Sequence, residues 1–252
     1  MGPFPGWLSC ELTNYFKSSG TDVTARASSA FATCSLLYNN FSIAPSTSAP
    51  ASLSNATYAA TLFGHASQLY TFSQQKPFQT YSSAISGVDW AYPSSGYAGD
   101  QALSALMMGV ATQAMGQNSS ISPQSYLDSA TSLYSSSNLQ ASNQDVVLNW
   151  DSVSPVLAVV LCQISHLGNS SFQPAGGLSK WQNEAEIYFD RIVNGNGRGY
   201  LTKGGLLWYD GDSEEASLNP AMNTAQLMMM YAPYASSSGK KSSYQAGLPV
   251  CT

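Results

Sequence analysis

The chain has 252 residues, 44% hydrophobic and 12% aromatic but only 9% charged, with nine Lys and Arg against 14 Asp and Glu and a net charge of -5. Such a balance offers no basic stripe to neutralise phosphates, which excludes nucleic acid as a partner. No apolar run reaches the roughly 20 residues that a membrane-spanning helix needs.

The polar surface must be made mainly by Ser, Asn, Gln, Thr and Tyr. A neutral, hydrogen-bonding surface suits uncharged polar ligands such as sugars, and equally suits a secreted protein with no such ligand. The length predicts one domain, or one large part of a repetitive fold, over 1–252, with 1–20 and 237–252 irregular. Residues 1–20 are punctuated by Pro and Gly and show neither the basic region nor the apolar run of a secretory signal.

From Asp22 the pattern changes. Val23, Arg26, Ala27, Ala30, Phe31, Cys34, Leu37 and Tyr38 recur at three- and four-residue steps, which predicts an amphipathic helix with this set as its buried face and Asp22 or Thr21 as its cap. A second helix is predicted from Ala56 to Ser73, with Ala59, Leu62, Phe63, Ala66, Leu69, Tyr70 and Phe72 inward. A polar, aromatic loop follows over residues 77–95. It leads into Tyr92-Pro-Ser-Ser-Gly-Tyr-Ala-Gly-Asp100 and an apolar helix carrying Leu103, Leu106, Met107 and Val110. Pro93 and Gly96 break what precedes, Ser94 and Ser95 are suited to cap, and Asp100 falls where the helix dipole favours negative charge.

Pro123 opens the next helix, with Tyr126, Ala130, Leu133 and Tyr134 along it. A short connection ends in Trp150-Asp151. Pro155 then opens an almost wholly apolar helix through Leu167, which has no wet face and belongs at the centre. An amphipathic helix from Trp181 to Val193 is stopped by the Gly-rich stretch 194–199, and a last helix runs from Pro220 to Tyr231; nothing after Ser236 carries a pattern. The sum is an all-α chain of stacked helical hairpins with no convincing strand. Three loops, 77–95, 145–154 and 194–219, gather aromatics and carboxylates on one side.

Cys10, Cys34, Cys162 and Cys251 form no Cys-x-x-Cys pair, which argues against a zinc site. Cys34 and Cys162 sit in apolar helical runs and read as buried thiols. Cys10 and Cys251 are open to bridging in an oxidising compartment, with three connectivities possible. Glycosylation sequons at Asn40, Asn55, Asn118 and Asn169 point to secretion. His65 and His166 read as packed imidazoles. Glu184 and Glu186 read as helix surface, and Asp210, Asp212, Glu214 and Glu215 as a solvated acidic loop. Tyr92, Tyr97, Trp150 and Trp208 lie at loop and helix junctions. There, ring faces can pack on pyranose C–H groups while nearby carboxylates and amides bond the hydroxyls; the alternative is ordinary core aromatics.

Several of these segments resemble successive motifs of glycoside hydrolase family 9. They are Tyr58-Ala-Ala-Thr-Leu-Phe-Gly-His-Ala-Ser-Gln-Leu-Tyr-Thr-Phe72, Ser95-Gly-Tyr-Ala-Gly-Asp100, Asn149-Trp-Asp151, Thr202-Lys-Gly-Gly-Leu-Leu-Trp208 and Ala221-Met-Asn-Thr-Ala225. They occur in the family's order and spacing between Thr21 and Tyr234. Asp190-Arg-Ile-Val-Asn-Gly-Asn196 and Tyr209-Asp-Gly-Asp212 look most like its fungal branch.

The resemblance implies an endo-β-1,4-glucanase with an (α/α) six-hairpin toroid that inverts the anomeric centre. Inversion takes two carboxyl groups roughly 6.5 to 9.5 Å apart. The family's base lies in an Asp-Ala-Gly-Asp motif and its acid in an Asn-Glu segment; this sequence contains neither, so the catalytic residues are unknown and the chain corresponds to a partial toroid. The implied cleft residues are Tyr92, Tyr97, Trp150, Asp151 and Trp208, and the implied ligand is a β-glucan polysaccharide or oligosaccharide. No cofactor is required. The family's Ser-Gly-Tyr-x-Asp-Glu turn often holds calcium; Ser95, Gly96 and Asp100 keep part of it, while Gly99 stands where the first carboxylate belongs. A hard cation takes six or more oxygens, so this turn is a degenerate calcium site. The family's Trp-Gly-x-Leu-Arg segment is replaced by Glu215-Ala-Ser-Leu-Asn219. The alternatives are a non-catalytic carbohydrate-binding remnant and an inactive truncated gene product. A partial toroid also exposes apolar hairpin faces, which leads to self-association.

Overall fold

The computed structural model describes residues 19–43, 51–88, 90, 93–116, 121–216 and 218–235. Among the described residues seven long helices carry the fold: α1 (Thr21–Tyr38), α2 (Ala56–Ser73), α4 (Ala98–Met115), α5 (Pro123–Ser136), α6 (Ser154–Leu167), α7 (Gly177–Asn194) and α9 (Asn219–Ala235). Two single-turn helices, α3 (Tyr81–Ala84) and α8 (Ser213–Ala216), lie in loops. The described residues also contain four short strands, which leave the fold all-helical in class, as expected. β1 (Ser19–Gly20) pairs in parallel with β2 (Phe78–Gln79), and β3 (Gly199–Leu201) pairs antiparallel with β4 (Leu207–Tyr209). Such short ladders leave no period-two pattern to read. Residues 19 and 20 are therefore not irregular; 1–18 and 236–252 lie outside the described residues.

Local chemistry sets the helix ends. Asn55 accepts from the Tyr58 amide and starts α2, and Ser122 accepts from the Ser125 amide ahead of Pro123, in the first turn of α5. Gly195 takes φ 64°, a left-handed conformation that ends α7 and turns the chain into the β3–β4 hairpin.

Helix α1 packs between α2 and α4, α4 against α5, α6 against α7, and α9 against α6. Central α4 and α6 are buried on nearly every side, from Asp100 to Thr112 and from Ser154 to Ser165. The apolar pattern of α6 had placed it at the centre, and there it lies. Large rings fill the second half of the core: Trp181, Tyr134, Phe189 and Tyr231 are fully buried. Tyr134 meets Trp181 edge-on at 5.1 Å and 70°, an arrangement worth about 0.5–1.5 kcal/mol beyond the area it buries.

Helix α1 buries a different face from the one its apolar residues suggest. Ala25, Ser28, Ser29, Ala32, Ser35 and Leu36 point inward, whereas Val23 is 48% exposed, Leu37 is 39% exposed and Cys34 is exposed. Small residues permit close approach to the alanine faces of α2 and α4, and hydroxyls hide their polarity on backbone carbonyls: Ser28 Oγ donates to Ala66 O at 2.8 Å and Ser35 Oγ to Ala32 O at 2.7 Å. Reading Cys34 as buried was wrong for this reason; Cys162 on α6 is buried, as expected.

The reading of Glu184 and Glu186 as helix surface is also overturned. Both are only 9% exposed on α7. Glu184 Oε2 accepts from the Tyr134 hydroxyl and the Ala141 amide, each at 2.8 Å, and Glu186 Oε1 accepts from the Tyr231 hydroxyl at 2.6 Å. Buried carboxylates persist where such donors surround them. His166 is half-buried against Tyr234 at 4.5 Å, while His65 is exposed beside Phe31.

Candidate functional site

The loops at 93–97, 144–154 and 198–212 converge through side chains. The Ser95 amide donates to Asp151 Oδ1 at 2.8 Å. Asn149 Oδ1 accepts from the amides of Asp151 at 2.9 Å and Ser152 at 2.6 Å, while its Nδ2 donates to Asp212 on the β4–α8 turn. Asp145 accepts from the Tyr209 hydroxyl at 2.7 Å and the Arg198 amide at 2.8 Å. Asn149 is thus the short polar side chain that makes its own loop rigid and ties it to the hairpin.

Between these loops and the start of α4 lies a half-open cavity of about 390 Å³, lined by Ser95, Tyr97, Asp100, Gln144, Asp151 and Ser154 among others. Tyr97 is half-buried, its ring 5.6 Å from that of Phe78. Ser154 Oγ donates to Gln144 Oε1 at 2.8 Å. The lining is uncharged except for Asp100 and Asp151, the surface a hydroxylated neutral ligand needs.

Of the expected cleft residues, Tyr97 and Asp151 come together in this cavity. Trp150, 37% exposed, lines an adjoining space of about 60 Å³ with Arg26, Asp100 and Asp151. Trp208 does not line either space; it is half-buried on β4, its indole N–H donating to Asp210 Oδ1 at 3.0 Å. Tyr92 lies outside the described residues. Gln144, Ser152 and Ser154 escaped the sequence reading, since a polar residue in a polar loop carries no pattern; only their nearness to Asn149-Trp-Asp151 pointed to them. Of the loop acids, Asp210, Asp212 and Glu214 are locally engaged, with Glu214 accepting from the Gly211 amide at 2.8 Å; the Glu215 side chain lies outside the described residues.

The helix start also differs from expectation. Tyr97 precedes α4 with no side-chain cap, and Ser94 Oγ donates to Gly96 O at 3.0 Å instead of accepting from a helical amide. Asp22 does not cap α1: its Oδ1 accepts from the amides of Val23 and Tyr81, both at 2.9 Å, reaching across to α3. Arg26, expected on an apolar face, turns toward Asp100. Its Nε donates to Asp100 Oδ1 at 2.7 Å, and its terminal nitrogens donate to the carbonyls of Trp150 and Asp151. Burial pushes the Asp100 carboxyl up to about 6; Arg26 opposes that rise, and Asp22 and Asp151 add to it.

Ser95, Gly96 and Asp100 do not fit a calcium ion. One carboxylate oxygen of Asp100 and the carbonyls of Trp150 and Asp151 are taken by the guanidinium. A side chain at Gly99 would start 3.3 Å from Val153 Cγ2, closer than most such contacts, so Val153 would have to give way slightly. Among the described residues no cluster of three or more His, Cys, Asp or Glu is placed to hold a metal ion, and no helix is long and apolar enough to cross a membrane.

Consecutive packed helical hairpins with a polar, aromatic-edged cavity beside the loops define a protein of the (α/α)-hairpin class. The chain matches the family model described as Glycosyl hydrolase family 9 over residues 11–248, and it belongs to that family. Its hairpins form a partial (α/α) six-hairpin toroid. A solved structure of an endoglucanase from the termite Nasutitermes takasagoensis, at pH 2.5, is similar with a TM-score of 0.65 and 25% sequence identity; the match covers 91% of this chain and 43% of that one. No curated protein sequence matches the chain.

Proposed function

We propose that this chain carries the glucan-binding cleft of an endo-β-1,4-glucanase that hydrolyses cellulose or a related β-glucan with inversion. The observation that carries this reading is the convergence of Tyr97, Ser95, Gln144 and Asp151 on one polar cavity in a chain of family 9. A pyranose ring has apolar C–H faces and equatorial hydroxyls; Tyr97 and Trp150 supply ring faces, and Asp151 and Gln144 supply hydrogen-bonding groups. Tyr92 and Trp208 are further candidate contacts by family resemblance.

The general acid and base come from outside these residues, as the missing Asp-Ala-Gly-Asp and Asn-Glu motifs suggest. Hydrolysis then requires a second part of the toroid. The chain is one incomplete domain, secreted, and glycosylated at its exposed sequons Asn40, Asn55 and Asn169; Asn118 lies outside the described residues. Apolar side chains at both ends of the helical series, Tyr58 and Val23 on one, Met222 and Met229 on the other, favour self-association.

The test is release of reducing ends from carboxymethylcellulose by the purified chain. Turnover at background level, together with binding of cello-oligosaccharides, supports the proposal. Turnover in the ordinary range of glycosidases, roughly 1–10³ s⁻¹, places the acid and base within this chain and contradicts it.

A further inference from the structure

Three carboxylates meet beside the cleft, on α1, at the start of α4 and in the loop before α6. Asp22, Asp100 and Asp151 line the same small cavity of about 60 Å³, and the cation lining it is Arg26. Asp100 is 3% exposed and Asp22 is 4% exposed. Asp22 Oδ2 is buried with no hydrogen-bond partner among the described residues. Uncompensated, such a group of charges is unfavourable.

Arg26 holds the group together. Its Nη2 lies 2.6 Å from Asp100 Oδ1, in addition to the Nε bond at 2.7 Å, and the same guanidinium reaches the carbonyls of Trp150 and Asp151. One planar fork therefore joins α1, α4 and the Asn149 loop, collecting a carboxylate and two carbonyl oxygens. A hard cation gathers oxygens of those same types; a guanidinium does so with fixed geometry and a permanent charge. On the other side Gly99 supplies no carboxylate, and a side chain there would require Val153 to shift by a few tenths of an ångström.

We propose that Arg26 is the resident cation of the cleft edge: through Asp100, the one residue it shares with the calcium turn that family resemblance implies at Ser95, Gly96 and Asp100, it stands in for that ion and makes the fold indifferent to calcium. The proposal rests on these contacts and not on the nature of the glucan.

Thermal unfolding of the full chain in millimolar CaCl2, in EGTA and in NaCl of matched ionic strength tests it first. The same midpoint in all three is expected, with no terbium emission sensitised through Trp150; a midpoint higher in CaCl2 than in NaCl, or saturable terbium emission, overturns it. Arg26→Ala should unfold several degrees lower and regain part of the loss in millimolar methylguanidinium but not methylammonium. An unchanged midpoint, or equal rescue by both cations, counts against the planar fork. Should that variant not fold, Arg26→Lys keeps the charge without the fork; an intermediate midpoint insensitive to calcium supports the proposal, and a midpoint equal to that of the parent chain overturns it.

Discussion

Arg26 and Asp100 stand 74 positions apart in the sequence and meet through an Nε–H donating to Oδ1 at 2.7 Å. This contact binds the first described hairpin to the helix start beside the cavity, and the burial of Asp100, which outweighs the pull of Arg26, has a pH signature. The folded state holds the Asp100 proton up to about pH 6, whereas an unfolded Asp releases it near pH 4. The native state therefore binds more protons between those values, so the contribution of Asp100 to stability is full below about pH 4 and is lost as pH rises through about 6. Asp100→Asn removes the effect and still accepts from Arg26. Urea unfolding from pH 4 to 7 should show the stability of this variant gaining on the parent by up to about 3 kcal/mol; a difference constant with pH contradicts the assignment.

Glu184 should tolerate change poorly. Replacing it with Ala leaves the Tyr134 hydroxyl and the Ala141 amide without their acceptor, a loss of about 2–4 kcal/mol. Tyr134→Phe removes one donor and should cost about 1 kcal/mol. Denaturant unfolding of both single variants and the double variant gives the coupling; fully additive losses would mean that the contact is not made.

The two described thiols should differ sharply. Cys34 is exposed, while burial and the neighbouring Glu186 push Cys162 up to about 12. Iodoacetamide at pH 8, followed by peptide mass analysis, should label Cys34 in the native chain and Cys162 only in urea. Native labelling of Cys162 contradicts the position of α6 at the centre.

Self-association should follow the exposed methionines of α9. Met222 is 66% exposed and Met229 is 65% exposed. Light scattering should show a mass above that of one chain, falling when both are replaced by Lys. A parent chain that stays a monomer at high concentration contradicts the proposal.

Much of the fold was legible because strong periodicity and punctuation agreed. Pro123 and Pro155 lie in the first turns of helices, Gly195 ends one, and the continuous apolar run after Pro155 is central. Where small polar residues do the packing, the apolar pattern misleads: α1 buries Ser28 and Ser35 and leaves Val23 and Leu37 outside. Glu184 and Glu186 were misread because tyrosine partners 50 and 45 positions away cannot be inferred from their own helix. In the cleft, the motif segments brought out Tyr97 and Asp151. Arg26 was hidden, because a guanidinium that reaches across the fold looks, in sequence, like one charge on an apolar helix.

The central claim is that the cavity between the start of α4 and the Asn149 loop binds a β-1,4-glucan chain. Calorimetric titration of the full chain with cellohexaose tests it most directly. Saturable binding that weakens at least tenfold in Tyr97→Ala, with the helical circular dichroism unchanged, is the result expected. No heat of binding at millimolar cellohexaose from a folded chain would contradict the account.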